Sequence, residues 1–453
     1  LLRQAAAFYV RPGDRWLARE EEKWHPVSAR IPRSAFGEDH DDFGLNQSKV
    51  IVIEAKQQGL ETMRVLIIGD GAREHALCWK LVESPLVDEL YCAPGNDGVA
   101  LLAECVPISM GALQTILNYC EDNEVEFIIV DSLIALENGL VDMLNRNGYP
   151  SFGPDMGAVK LETSKAFTKE FCERHAIPTA RFARFTAPEE ARHHVAEGAL
   201  PVVIKSDMPV AGAKVAVCRT REEADAAIAA RLNGAAGAEI LIEDYLTGAE
   251  IGFSVITDGN VVLSLTSTTP RWDGEEKPAR PGCLSPAPEV TPKVEAEIIE
   301  RIFLPTVEQM KAERRVCKGL LAATIMLTAE GPKLLDYKVH FTDPEWQVIM
   351  LRMNGDLMPA LISSYDEMLY RFNPFRWHEE AAASVVVTTD GARDPEQISA
   401  AIDSAELADS DIVVFQSYKD RDLGVSAGGK DLADIRTRLR AALERIDHVL
   451  QMK

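Results

Sequence analysis

The stretch "MRVLIIGDGAREHALCWKLVES", residues 63–84, decides the fold. Its apolar run "RVLIIG" reads as a strand buried on both faces, because no polar residue interrupts it. Gly69 and Gly71 then permit a tight turn, and "REHALCWKLVES" continues as a helix. The next segments repeat the alternation. "ELYCAPGN" is a strand running into a second glycine turn, "LQTILNYCEDN" is helical, and "VEFIIVDS" is another buried strand. Strands alternating with helices predict a doubly wound α/β domain over 63–154.

Residues 1–62 show neither period and form an N-terminal extension without an assigned role. After residue 154 the pattern changes. "ETSKAFTKEFCERHAIPTA" (162–180) opens on Ser/Thr and stops at a proline, which predicts a helix entering a new domain. Strands follow at "PVVIKSD", "KVAVC", "EILIEDYL", "IGFSVITDGNVVLSLTS", "LLAATIML" and "PKLLDYKV", with helices near 221–232 and 292–313. The Asp-Gly-Asn turn in "SVITDGNVVL" marks a hairpin. An α+β domain over 155–376 results. "ASVVVTT", "DIVVFQSY", "RDLGVSA" and a terminal helix complete a small α/β domain over 377–453.

The 453 residues carry a formal net charge of −23, which repels nucleic-acid phosphates and anionic membranes and disfavours both as partners. Small molecules are the expected partners. The apolar runs are too short to span a bilayer and the first residues lack a signal-peptide pattern, so a cytoplasmic protein is expected. Eight cysteines without CxxC spacing read as reduced, small hydrophobes.

Several positions could carry chemistry. "GDGAREHA" (69–76) offers N–H groups at a helix start to an anion, yet Glu74 stands where a dinucleotide fingerprint needs glycine. "APGNDG" (93–98) puts a second such turn on the same sheet edge. Lys205 ends "PVVIK", where a lysine either snorkels to solvent or clamps a phosphate. Glu243 ends "EILI" and either faces solvent or receives an adenine amine and ribose hydroxyls. In "LLDYKVHFTDPEWQ" (334–347), Asp336 and Lys338 are two residues apart on a strand and share a face. That pairing is either a salt bridge or part of a metal-and-nucleotide site.

From Met63 onward, these segments with "FGPDMGAVKLETSKAFTKEF", "EDYLTGAE" and "LSPAPEVTP" resemble, in order and spacing, the phosphoribosylamine–glycine ligases, which are ATP-grasp enzymes of purine synthesis. The resemblance implies a pre-ATP-grasp N-terminal domain, an ATP-grasp central domain and a small C-terminal domain. It implies a ligase joining glycine to 5-phosphoribosylamine through an acyl-phosphate, with ATP and Mg²⁺ as cofactors. By position, Gly69, Gly71, Arg73, Gly95 and Asn96 would hold phosphoribosylamine, and Lys205, Lys214, Glu243 and Glu250 would hold ATP. Asp336 would be the metal ligand, with His340 beside it in the catalytic set.

The chain also departs from that pattern. The family's Gly-Pro-Glu-x-Pro-Leu reads "DSLIAL" (131–136), and its Gly-Lys-Gly-Val reads "GAKV" (212–215). The long substrate loop is shortened to "TTPRWDGEEKPARPGC" (268–283), and Glu-x-Asn followed by Arg becomes Asp336, Lys338 and His340. At ~4 Å and an effective dielectric of about 20, two unit charges interact by roughly 4 kcal/mol, so Lys338 competes with Mg²⁺. A Lys338–Asp336 salt bridge is therefore expected. The alternatives to the family reaction are a non-catalytic paralogue or a ligase for another amine and acid.

Overall fold

The computed structural model describes residues 9–10, 62–207, 215–232, 238–273, 280–389, 395–417 and 422–451. Tyr9–Val10 (β1) pairs its backbone antiparallel with Val262 and Leu263. The first glycine turn follows Met63–Gly69 (β2), the middle strand of a parallel sheet. Val87–Pro94 (β3), Glu104–Cys105 (β4), Phe127–Val130 (β5) and Ser151–Phe152 (β6) complete it in the order β4-β3-β2-β5-β6. Successive residues of β2 point to opposite faces, and both faces are covered. Leu66 and Ile68 pack with Ile116 and Cys120 of helix Leu113–Asp122, while Val65 and Ile67 pack with Ala76 and Leu77 of helix Ala72–Leu81. The uninterrupted apolar run is the signature of that two-sided burial.

The single helix expected over 162–180 is two, Met156–Thr163 and Lys165–Arg174. Ser164 breaks them with an extended backbone. Its hydroxyl accepts the Phe167 N–H at 3.1 Å, capping the second helix, and donates to Asp207 at 3.0 Å.

Phe182–Phe185 (β7), Val202–Ser206 (β8), Ala216–Cys218 (β9) and Ile240–Asp244 (β10) form an antiparallel sheet in the order β7-β10-β8-β9. Helices Pro188–Glu197 and Arg221–Leu232 bury its apolar face. Next come Ala249–Asp258 (β11), Val262–Thr268 (β12), Gly282–Ser285 (β13), Lys318–Thr328 (β14) and Gly331–Lys338 (β15). Four of these make a sheet in the order β12-β11-β14-β15, with Gly259 at φ +83° in the hairpin read from sequence. β13 leaves it. It pairs with Ala381–Val387 (β16) and joins Ile412–Gln416 (β17) and Leu423–Gly429 (β18) in the last sheet, β13-β16-β18-β17. The segment before Ser285 thus stitches the central region to the C-terminal one. Among the described residues, no helix is long and apolar enough to cross a membrane. All eight cysteines are free, and all but Cys105 are buried.

The segment after β15 is pinned against the first sheet by a ring stack. Phe152, at the end of β6, stacks on Phe341 at 6.0 Å, and Phe341 stacks on Trp346 at 3.7 Å. Close by, β14 begins against the first domain at Gly319, where φ is +98° and an added Cβ would lie 3.0 Å from Gly153. Gly319→Ala should lower the unfolding free energy by about 1–3 kcal/mol, read as a reduced urea midpoint with unchanged slope. An unaltered midpoint would show that the two backbones are not held in this close approach.

Candidate functional site

β15 and the residues after it, 334–345, run along a seam of charged groups. The strand alternates cleanly until a bulge opposite Thr324 and Ile325, which inserts Leu335. The bulge lets Leu334 and Tyr337 both face the core. It also coincides with a carbonyl, that of Leu335, which accepts the Lys205 ammonium at 3.1 Å.

Lys205 ends β8 almost fully buried and pairs with Glu243 of β10 at 3.0 Å. The same carboxylate holds Lys169 at 2.9 Å, from helix Lys165–Arg174. Lys169 donates further to Thr179, whose hydroxyl donates to the Leu334 carbonyl, each at 2.7 Å. Burial, with the nearby Lys205 charge, draws the Lys169 pKa down against the pull of Glu243. Of the other nucleotide-site expectations, Glu250 lies exposed near the start of β11, and Lys214 falls outside the described residues.

At the other end of the seam, the first glycine turn is filled by the chain itself. Glu74 is fully buried and accepts the Gly71 N–H at 2.6 Å, and its carboxylate lies where a Cβ on Gly69 would be. Arg73 points along the sheet edge to Asp131 at 3.2 Å and Asp343 at 3.4 Å. Asp131, the first residue of "DSLIAL", also accepts the Phe341 N–H at 2.7 Å. Burial and the neighbouring Glu74 carboxylate push the Asp131 pKa well up. Asn96 braces the two turns. Its amide donates to the carbonyls of Asp70, Gly71 and Gln416 at 2.9–3.1 Å and accepts the Val99 N–H at 2.9 Å. Gly95 has φ +72°, and a Cβ there would lie 2.5 Å from the Cys105 sulfur. His75, whose Nδ1 accepts the Gln416 N–H at 3.0 Å, is brought by burial down to about 4 and stays neutral.

Between these ends the expected Lys338–Asp336 salt bridge is replaced by two others. Asp336 pairs with Lys165, and Lys338 with Glu162 at 2.9 Å. The reason is tertiary. Helix Met156–Thr163 brings a buried carboxylate up to the strand, and helix Lys165–Arg174 begins with an ammonium. Glu162 also accepts the Val339 N–H at 2.9 Å and lies 3.2 Å from His340 Nε2. Although burial opposes its charge, His340, Lys338 and the Val339 N–H hold Glu162 at about 2. The other His340 nitrogen, Nδ1, faces the Phe341 carbonyl at 2.6 Å.

A divalent cation requires a set of oxygen ligands. Asp336 already holds Lys165, the next side chain on its face is an ammonium, and no group of three His, Cys, Asp or Glu with metal-binding geometry occurs among the described residues. These residues do not fit Mg²⁺.

Two more carboxylates line the seam. Asp343 accepts from Gln347 at 2.9 Å and sits near Glu74; burial raises it to about 6. Burial raises Glu345 to about 7, and its Oε2 has no hydrogen-bond partner among the described residues. Sequence reasoning named Arg73, Lys205, Glu243, Asp336 and His340, and the structure brings them along one seam. Sequence reasoning missed Glu162, Lys165, Lys169, Asp131, Asp343 and Glu345. Lys165 and Lys169 were findable, since residues four apart share a helix face. Glu162 carried no signal, because its partners are over 170 residues away.

The family model described as "Phosphoribosylglycinamide synthetase, N domain" matches residues 63–162, and "Phosphoribosylglycinamide synthetase, ATP-grasp (A) domain" matches residues 163–346. A phosphoribosylamine–glycine ligase of Agrobacterium fabrum is 35% identical, over 85% of this chain and 95% of that relative. One of Escherichia coli K12 is 39% identical over 73% of this chain and 79% of that relative. The crystal structure of a phosphoribosylamine–glycine ligase from Thermotoga maritima has a TM-score of 0.67 at 24% identity, covering 84% of this chain and 96% of that one. The biotin carboxylase domain of the Hydrogenobacter thermophilus 2-oxoglutarate carboxylase, solved with MgADP, ADP and bicarbonate, has a TM-score of 0.60 at 16% identity. It covers 85% of this chain and 90% of that one.

Two measurements test this geometry. Glu243→Gln leaves two buried ammonium groups without a countercharge and should destabilise the fold by about 3–5 kcal/mol in chemical denaturation. A loss below ~1 kcal/mol would mean that water, not Glu243, balances Lys169 and Lys205. Glu345 has a folded pKa raised above its unfolded value, so its contribution is fully present below pH ~4.3 and is lost as pH rises through about 7. Glu345→Gln should therefore gain stability relative to wild type across that window, by about 3 kcal/mol, and level off above it. Parallel stability–pH curves would refute the shift.

Proposed function

Because the chain belongs to the phosphoribosylamine–glycine ligase family, we propose that it uses ATP to join glycine to 5-phosphoribosylamine through glycyl phosphate. A glycine carboxylate oxygen attacks the γ-phosphorus and ADP leaves. The phosphoribosylamine nitrogen then attacks the acyl carbon, inorganic phosphate leaves, and the nitrogen gives up a proton. Both steps move anionic charge, so the protein's part is to place cations and to exclude water.

The seam supplies those cations at both ends. Lys205, fixed between Glu243 and the Leu335 carbonyl, would face the ATP phosphates. Arg73, at the mouth of the first glycine turn, would take the phosphoribosyl phosphate by exchanging Asp343 for it. Gly69, Gly71, Gly95 and Asn96 keep the two turns close to the sheet, Asn96 as a brace rather than as a hand on the substrate. Glu345 carries a carboxyl that changes charge near neutral pH, with one oxygen unbonded among the described residues, which suits it to take the proton released by the amine. The observation that carries the reading is that residues 334–345 touch both the Lys205–Glu243 pair and the Arg73–Asp131 pair. One stretch joins the two half-sites.

A coupled ADP assay on purified protein tests the proposal. ADP release should require both glycine and phosphoribosylamine, and Lys205→Ala should slow it by about 10²-fold or more. Arg73→Ala should raise the KM for phosphoribosylamine about tenfold while changing kcat less. The same gene should restore growth of a purine auxotroph lacking this ligase. Nucleotide binding without ADP release under all substrate pairs would leave a binding protein instead.

A further inference from the structure

The side chains on the exposed face of β15 bear on how the site neutralises a polyphosphate. Asp336 is held by Lys165, and Lys338 is held by Glu162, so both strand positions are occupied by internal ion pairs. Lys205 reaches the carbonyl of Leu335, the residue just before Asp336. Around this strand, four ammonium groups (Lys165, Lys169, Lys205 and Lys338) stand among the carboxylates of Asp336, Glu162 and Glu243, with Glu345 close enough to act on Lys338.

The exposure of these groups separates two roles. Lys169 and Glu243 are 2% exposed and act inside the protein. Lys338 is 37% exposed over a buried Glu162, and Lys165 (16%) and its partner Asp336 (23%) are both part-exposed, so both ammonium groups reach the surface of the seam. A dication arriving at Asp336 would have to displace the Lys165 ammonium and then sit beside the one on Lys338. An anion arriving there meets both ammonium groups already in place. The chemistry at this strand favours the anion.

We propose that the site binds a nucleoside triphosphate without a divalent cation, with the Lys165 and Lys338 ammonium groups supplying the countercharge. This rests on the nucleotide reading of the Lys205–Glu243 half-site and adds to it a cofactor independence that sets the chain apart from its structural neighbour solved with MgADP. Lys338 is the replaceable member, because it is the more exposed and its removal leaves Glu162 still bonded to the Val339 N–H and beside His340.

Calorimetric titration of the full chain with ATP, in EDTA and in excess Mg²⁺, decides the matter. The dissociation constants in the two buffers should agree within about threefold. Lys338→Asn should weaken binding in EDTA by about tenfold and make it Mg²⁺-dependent, whereas Lys338→Arg should keep the wild-type affinity in EDTA. Thermal melts of both variants check that the fold is retained. Binding in Mg²⁺ that falls by more than about tenfold in EDTA overturns the proposal while leaving the nucleotide reading intact. Wild-type affinity in EDTA for Lys338→Asn also overturns it. No binding of ATP in either buffer overturns the nucleotide reading and this inference with it.

Discussion

Near the end of a buried strand Lys205 meets Glu243 at 3.0 Å, and much of the molecule is organised by that pair. An isolated ammonium in such a place would lose its proton or drag the strand to solvent. Glu243 also neutralises Lys169, so one carboxylate ties helix Lys165–Arg174 to the sheet of β7 to β10. Lys205 in turn ties that sheet to β15 through the Leu335 carbonyl. Three elements far apart in the chain converge on one buried charge.

The consequence reaches the first domain. Once β15 is fixed at Leu335, its bulge sets which side chains face outward, and the segment after it runs across the edge of the parallel sheet. Phe341 inserts between Phe152 and Trp346, and its N–H meets Asp131. Those contacts hold Asp343 within reach of Arg73. A change at the buried pair would therefore be felt at the glycine turn through a continuous run of backbone. The acidic surface does not contradict an anion site of this kind. Its cations are gathered along one part-buried seam, where a low-dielectric surround makes each charge count for more than it would in the open.

Much of this was legible before any coordinates. The apolar run of β2 announced two-sided burial, and the Asp-Gly-Asn turn announced the β11–β12 hairpin. Lys205 and Glu243 stood out as charged residues ending apolar strands. The errors came from contacts between segments distant in sequence. Ser164 looks like the interior of a helix until Asp207 is brought beside its hydroxyl. Lys338 looks like the partner of Asp336 until Glu162 arrives from below. β13 reads as part of the central region, and only its pairing with β16 moves it to the last sheet.

By itself the sequence determined most of the strands, the glycine turns and the identity of the charged residues, since periodicity and turn chemistry are local properties of the chain. The family resemblance, too, was visible in the linear order of short segments. Which charge neutralises which was decided only by the tertiary structure. Electrostatic pairing depends on distance and burial, and both are set by how helices 156–163 and 165–174 pack against β15. Two residues that are neighbours on a strand face can each find a better partner across the fold. At Asp336 and Lys338 they do, Asp336 with Lys165 and Lys338 with Glu162.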